Sequence, residues 1–177
     1  MWRIPAGYPQ DMGLPGIGHG VMLCPMPVIR TATADDLPGL LVLYQHLSPG
    51  DAAPDPAQAE AIFARFLRYE GSAIWLAEVA GQVVASCTLI VVPNLTRGGR
   101  PYAVIENVVT HADHRQRGLG KAVMRAALDA AWAADCYRVT LATGSQKPGT
   151  HAFYREVGFD GTKTCYQIRR VPARVET

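Results

Sequence analysis

The residues whose types and spacing can do chemistry lie in Ile105–Ala126, IENVVTHADHRQRGLGKAVMRA, which reads as a strand, a short polar loop, a Gly-x-Gly turn and a helix. The first N–H groups of a helix have no partner within it and sit at the positive end of its dipole. A glycine-rich turn at that point can therefore hold a phosphate closely. Arg115, Arg117 and Lys121 add positive charge around it. Spacing excludes two other phosphate motifs. A P-loop would need glycine at 115 and Ser or Thr at 122, where Arg115 and Ala122 stand. A dinucleotide fingerprint would need a third glycine where Val123 stands, within a parallel βαβ unit, whereas the strands before this turn read as antiparallel. The plainer alternative for Gly118 and Gly120 is an ordinary strand-to-helix turn.

The string Arg115-Gln116-Arg117-Gly118-Leu119-Gly120 resembles the Q/R-x-x-G-x-G/A pyrophosphate motif of the GNAT family of N-acetyltransferases. The resemblance runs from Val28 to about Arg169, in the order strand, two helices, antiparallel strands, motif helix, strand, helix, final strand. It implies an α+β fold, with a central, mostly antiparallel twisted sheet of about six to seven strands flanked by about four helices. It also implies an enzyme that passes an acetyl group from acetyl-CoA directly to a primary amine, with no metal. The acceptor would be a small molecule, amino sugars included, or a peptide.

By the same resemblance, Arg115, Gln116, Arg117, Gly118, Leu119, Gly120 and Lys121 bind the coenzyme A pyrophosphate, mainly through their backbone. Val108, Val109 and Thr110 pair with the pantetheine arm as though it were an added strand. A backbone N–H near Val108 or Val109 would polarise the thioester carbonyl. Acetyl transfer needs a neutral amine, so the site benefits from a base, and Glu106 stands where several family members place an acidic group acting directly or through water. The competing reading of Glu106 is a carboxylate tied to neighbouring backbone or a basic side chain. His151-Ala-Phe-Tyr-Arg-Glu-Val-Gly-Phe159 resembles the family's last helix, which makes Tyr154 the general acid for the departing thiolate. Many relatives carry an asparagine a turn or two earlier, where Lys147, Gly149 and Thr150 stand here. His111, His114 and His151 read as surface residues. The strings IENVV, GLGK and CYRV are most similar to the glucosamine-6-phosphate N-acetyltransferase type, whose substrate would need a second phosphate site. Arg97, Arg100 and Lys147 are basic residues on loops that could supply it, or serve as solvated surface charge. The alternative to an enzyme is a non-catalytic acyl-CoA-binding regulatory domain, and a third reading is an adaptor with an accidental glycine turn.

The elements that must position these residues are legible as patterns. Val28–Thr31 reads as a strand, and Thr33 with Asp36 as an acidic variant of the capping box. The helix that follows has its apolar stripe at Leu37, Leu40, Leu41, Tyr44 and Leu47. Asp55 and Pro56 open a second helix with Ala59, Ile62, Phe63, Phe66 and Leu67 inward, closed by Gly71. Ala73–Val79 and Gln82–Val92 form a hairpin about Ala80-Gly81, and a turn over Arg97–Arg100 leads into a strand at Tyr102–Thr110. The motif helix spans Gly118–Ala134 with Leu119, Ala122, Val123, Ala126, Ala127 and Ala130 on its apolar face. A strand at Arg138–Ala142, a helix at Pro148–Val157 stopped by Gly158, and a closing strand at Cys165–Arg169 complete the series. Thr143–Thr150 is long and polar enough to fold over the cofactor or the acceptor.

The chain has 177 residues, 49% hydrophobic and 18% charged, which suits one globular domain. Its expected extent is 28–170, after a Gly/Pro-rich leader over 1–27 and before a short tail over 171–177. Gly16, Gly18 and Gly20 in the leader have no strand before them and no helix after, so they read as leader rather than phosphate loop. With a formal net charge of +2, no global field draws the chain to nucleic acid or an anionic membrane. No segment has the apolar run of about 20 residues that spans a bilayer. Cys24, Cys87, Cys136 and Cys165 form neither a CxxC pair nor a zinc-like cluster and read as reduced structural thiols of a cytoplasmic protein. Dimerisation is common for this fold, and the sequence gives no separate sign of a homodimer.

Overall fold

The computed structural model describes residues 26–170. Most of the expected leader, with Gly16, Gly18, Gly20 and Cys24, therefore lies outside the described residues, as does the tail. The elements are β1 (Val28–Thr31), α1 (Leu37–Tyr44), α2 (Pro56–Leu67), β2 (Ala73–Val79), β3 (Gln82–Val92), β4 (Tyr102–Thr110), α3 (Leu119–Ala133), β5 (Val139–Thr140) and α4 (Pro148–Val157). Local chemistry sets many of these bounds. The Asp55 carboxylate accepts the Ala57 and Gln58 N–H groups at 3.0 and 3.3 Å and caps α2. The turn residues Ala80 and Gly81 both have positive φ, 51° and 79°, as a two-residue hairpin with right-handed twist requires.

Among the described residues the sheet has five strands in the order β1-β2-β3-β4-β5. Neighbours are antiparallel except β4 and β5, which run parallel. The mixed α+β class is as expected, but the strand count is lower. The expected strand at Cys165–Arg169 is irregular and exposed, with Tyr166 and Ile168 at 92% and 99% exposure. It has little edge to join, because β5 keeps only Val139 and Thr140 of the expected Arg138–Ala142. Cys165 is likewise exposed, so it is not a structural thiol, while Cys87 and Cys136 are buried and unbridged.

Two apolar layers cover the sheet. On one face α3 packs against β2, β3 and β4 through Val123, Met124, Ala127 and Ala131, all fully buried against Ala77, Cys87 and Ile105. On the other, Leu40 and Leu43 of α1 and Phe63 of α2 meet Ile74, Leu76, Val83 and Val109. The buried stripes are thus rotated from those read in the sequence. Leu43, Met124 and Ala131 are core, whereas Ile62 and Leu67 are 57% and 37% exposed. Short helices rich in apolar residues offer several faces, and packing selects one.

Arg30 ties this scaffold together at its first strand. Its guanidinium donates to both Asp36 carboxylate oxygens at 2.7 Å and to Glu78 at 2.7 Å. The Thr33 N–H also donates to Asp36 at 2.7 Å, which realises the acidic capping box. The hydrogen bonds from Arg30, aided by those of Thr33 and opposed by burial, hold the Asp36 carboxyl down to about 2. A depressed folded-state value means that the stabilisation is complete above the unfolded carboxyl value near 3.8 and is lost as pH falls toward about 2. Asp36→Asn is expected to destabilise the domain by about 1–3 kcal/mol at pH 7 and to flatten the loss of stability between pH 4 and 2. Urea melts across that range measure both effects.

Candidate active site

The site starts from one irregularity in β4. Cys87 of β3 stands opposite both Asn107 and Val108, since Ser86 pairs with Val109 and Thr88 with Glu106. Asn107 takes φ 52°, a left-handed conformation that asparagine tolerates better than most residues. The bulge inverts the strand's alternation. Ile105 belongs to the α3-side core and Val109 to the α1-side core, although both are odd-numbered. Cys87 beneath the bulge is inert, its thiol pushed up to about 12 by burial.

The bulge also opens the sheet. β4 and β5 pair at Ala103↔Val139 and Val104↔Thr140. Beyond that point Leu141 and Ala142, expected in β5, leave the ladder. A cavity of about 280 Å³ fills the opening, lined by Glu106, Asn107 and Val108 on one side, Thr143 and Gly144 on another, and Tyr154 from α4. Backbone direction follows from the far end of β4. The His111 N–H donates to Val84 O at 2.8 Å on the β3 side. Alternation therefore turns Val109 to β3 and leaves the N–H and C=O groups of Val108 and Thr110 facing the opening. Of the three expected pantetheine partners, Val108 and Thr110 are presented to the gap, while Val109 pairs with Ser86 and buries its side chain.

Glu106 and Tyr154 thus line the same cavity. Burial first, then the nearby Glu106 charge, raises the Tyr154 phenol above its ordinary value near 10. Its ring makes edge contacts with Phe153 and Phe159 at centroid distances of 5.2 and 6.4 Å. Tyr154 is therefore held in its protonated, donating form.

The glycine turn lies beyond the end of β4. Gln116 and Gly118 have φ 59° and 78°, and Gly118 is the N-cap of α3. The Ala122 N–H makes the first in-helix bond, to Gly118 O at 3.0 Å, so the amides of Leu119, Gly120 and Lys121 stand at the unpaired helix start. A Cβ at Gly120 would lie 2.9 Å from Thr110 Oγ1 and 3.4 Å from Phe153 Cε2, so the glycine lets the helix start close against the end of β4. The basic side chains engage their surroundings. Arg115 Nε donates to Thr110 O at 3.3 Å, Arg117 Nη1 to His114 Nδ1 at 3.0 Å, and the Lys121 ammonium pairs with Glu156 of α4. What the turn offers an anion is chiefly backbone.

A cavity between splayed strands that holds Glu106 and Tyr154, with unpaired amides at a helix start beyond the end of β4, suits a class of acyl transferase that works on a coenzyme thioester. The sequence matches the profile of the Acetyltransferase (GNAT) family over residues 40–159, and the chain belongs to that family. It is an acetyl-CoA-dependent N-acetyltransferase. It is 32% identical over 133 residues to a glucosamine 6-phosphate N-acetyltransferase of Trypanosoma brucei brucei, covering 74% of this chain and 87% of that relative. A solved putative acetyltransferase from Agrobacterium tumefaciens str. C58 superposes with a TM-score of 0.78 at 49% identity, covering 81% of this chain and 99% of that one. A glucosamine-6-phosphate N-acetyltransferase from Arabidopsis thaliana shares the fold, with TM-score 0.74 at 21% identity over 82% and 99% of the two chains.

Asn107 and Phe153, which shape the opening and the turn, had no role of their own in the sequence, and Leu47 stood there only as part of the α1 stripe. Asn107 carried a readable signal, an asparagine inside a β-rich run, which marks a candidate bulge.

Proposed function

We propose that this chain acetylates a primary amine of a small molecule in the opening between β4 and β5, with Glu106 as base and Tyr154 as acid. The observation that carries the reading is that these two side chains share the cavity which the Asn107 bulge creates. Acetyl-CoA, when bound, supplies the acyl group and a thiolate leaving group. The residues present suit it, because the unpaired amides at the start of α3 fit a pyrophosphate and the outward edge of β4 at Val108 fits an amide-bearing arm. Glu106, directly or through water, takes the proton that frees the amine lone pair. The Val108 N–H donates to the acyl oxygen, and Tyr154 gives its proton to the departing sulfur. Amine nitrogen joins acyl carbon as the carbon–sulfur bond breaks; of the two protons the nitrogen sheds, one leaves through Glu106 to solvent and the other makes good, through solvent, the proton that Tyr154 gives to the thiol. The cytoplasm suits such an enzyme, in keeping with buried thiols that remain unbridged.

Thiol release from acetyl-CoA with a panel of amines tests this reading. Saturable coenzyme A binding without release on any acceptor would favour the regulatory-domain alternative. Glu106→Gln is expected to lower kcat/KM by about 10²-fold near neutral pH, with the deficit shrinking as pH rises and the free amine fraction grows. Turnover unaltered across the pH profile would remove Glu106 from the mechanism.

A further inference from the structure

His46, His111 and His114 pack together, each half-buried. The His46 and His111 ring centroids lie 4.0 Å apart at a tilt of 49°, and His114 meets His111 edge-on at 5.5 Å. His46 follows the end of α1 and precedes Leu47, which lines the cavity of Glu106 and Tyr154. His111 and His114 belong to the loop that carries β4 into the glycine turn, where His111 caps a 3-10 turn over Ala112–His114. The three rings therefore clasp that loop to the end of α1.

The contacts within the loop need neutral rings. The Asp113 N–H donates to His111 Nδ1 at 3.3 Å, so that nitrogen holds a lone pair and the ring's proton is on Nε2. Arg117 Nη1 approaches His114 Nδ1 at 3.0 Å, and a guanidinium can only donate, so His114 Nδ1 accepts as well. A proton on either Nδ1 would set donor against donor, and the Asp113 or Arg117 bond would be lost. His46 is faced by His111, Arg115 and Asp113. Burial first, then His111 and Arg115, with Asp113 opposing, holds its imidazole below the ordinary value near 6.5. A base lowered in this way stabilises the docked loop fully above that value, and the stabilisation is lost as pH falls through it.

From this we infer that His46, His111 and His114 are positioning residues that fix the loop before the glycine turn only while their rings are neutral, so that acid loosens the turn and weakens coenzyme binding. The inference rests on the reading of the turn as the coenzyme site. Direct attraction between an imidazolium and a pyrophosphate would act with the opposite sign. Because both Nδ1 atoms are committed inside the loop, the broken contacts decide, and affinity falls with pH.

Calorimetry with dephospho-coenzyme A tests this on the full chain. That probe keeps the pyrophosphate but lacks the phosphate monoester, whose own titration at about pH 6 would distort the profile. The parent is expected to bind about three- to tenfold more weakly at pH 5.5 than at pH 8, the worth of one or two modest hydrogen bonds. Both conditions lie above the range in which the Asp36 network fails. His111→Asn/His114→Asn offers both donors a side-chain acceptor that takes no proton. It should bind within about threefold of the parent at pH 8 and lose most of the decline. His111→Leu/His114→Leu offers no acceptor and should already be weakened about three- to tenfold at pH 8. A parent affinity that stays level or rises as pH falls would overturn the inference and leave the turn as the coenzyme site. So would an asparagine variant that declines as the parent does. No binding by the parent at either pH would overturn the coenzyme reading and this inference with it.

Discussion

Gly120→Val is expected to lower acetyl-CoA affinity by at least about 100-fold, the equivalent of losing one or two charge-assisted hydrogen bonds. The added Cβ would stand 2.9 Å from Thr110 Oγ1, closer than ordinary contact, with Phe153 Cε2 at 3.4 Å closing the other side to the rest of the valine. Relief requires the start of α3 to move away from the end of β4, and the amides of Leu119, Gly120 and Lys121 move with it. The same crowding should cost about 1–3 kcal/mol of stability, so binding is compared under conditions where circular dichroism shows both proteins folded. Gly161→Ala is the control. A Cβ there meets nothing within 4 Å, its φ is ordinary, and the position lies outside the proposed site, so affinity should be unchanged. If calorimetry finds the Gly120→Val affinity equal to that of the parent, the turn does not hold the coenzyme.

Tyr154→Phe carries the second large effect. The phenol is expected to contribute about 10²- to 10³-fold to kcat, with KM for acetyl-CoA changed by no more than about threefold. Phenylalanine retains the ring packing against Phe153 and Phe159, so folding should be little affected. The sign of the pH effect follows from the environment. Burial and the Glu106 charge raise the phenol above its ordinary value near 10, so the proton is present throughout the neutral and mildly alkaline range. A fall in kcat caused by deprotonation of this group should therefore have its midpoint above that of a free phenol, and the variant should lack it. Rate profiles from pH 6 to 11 report both features. Full turnover in the phenylalanine variant would remove Tyr154 as the acid.

Much of the scaffold was legible because its signals are local. The Ala80-Gly81 hairpin, the Asp55-Pro56 start of α2, the start of α3 at the glycine turn and the Gly158 stop are short-range chemistry, and each lies within a residue of where the sequence implies. Less legible was the inward face of each helix. Val42, Leu43 and Tyr44 are all apolar-bodied neighbours, and only the sheet beneath decides that Leu43 is buried and Val42 is 61% exposed. The length of β5 and the irregular course of Cys165–Arg169 also depend on partners distant in the chain.

The sequence by itself carried the glycine turn with its helix start and the resemblance to the family, and that resemblance implied Glu106 and Tyr154 as acid–base candidates, because a short motif is a local signal. Only the tertiary structure decided that Glu106 and Tyr154 line one cavity and that Val108 rather than Val109 turns its amide to the opening. These are consequences of one extra residue in β4, which reverses every later side chain and frees the strand's far edge. A bulge arises between two strands that must both be present, and so it is decided when they pair.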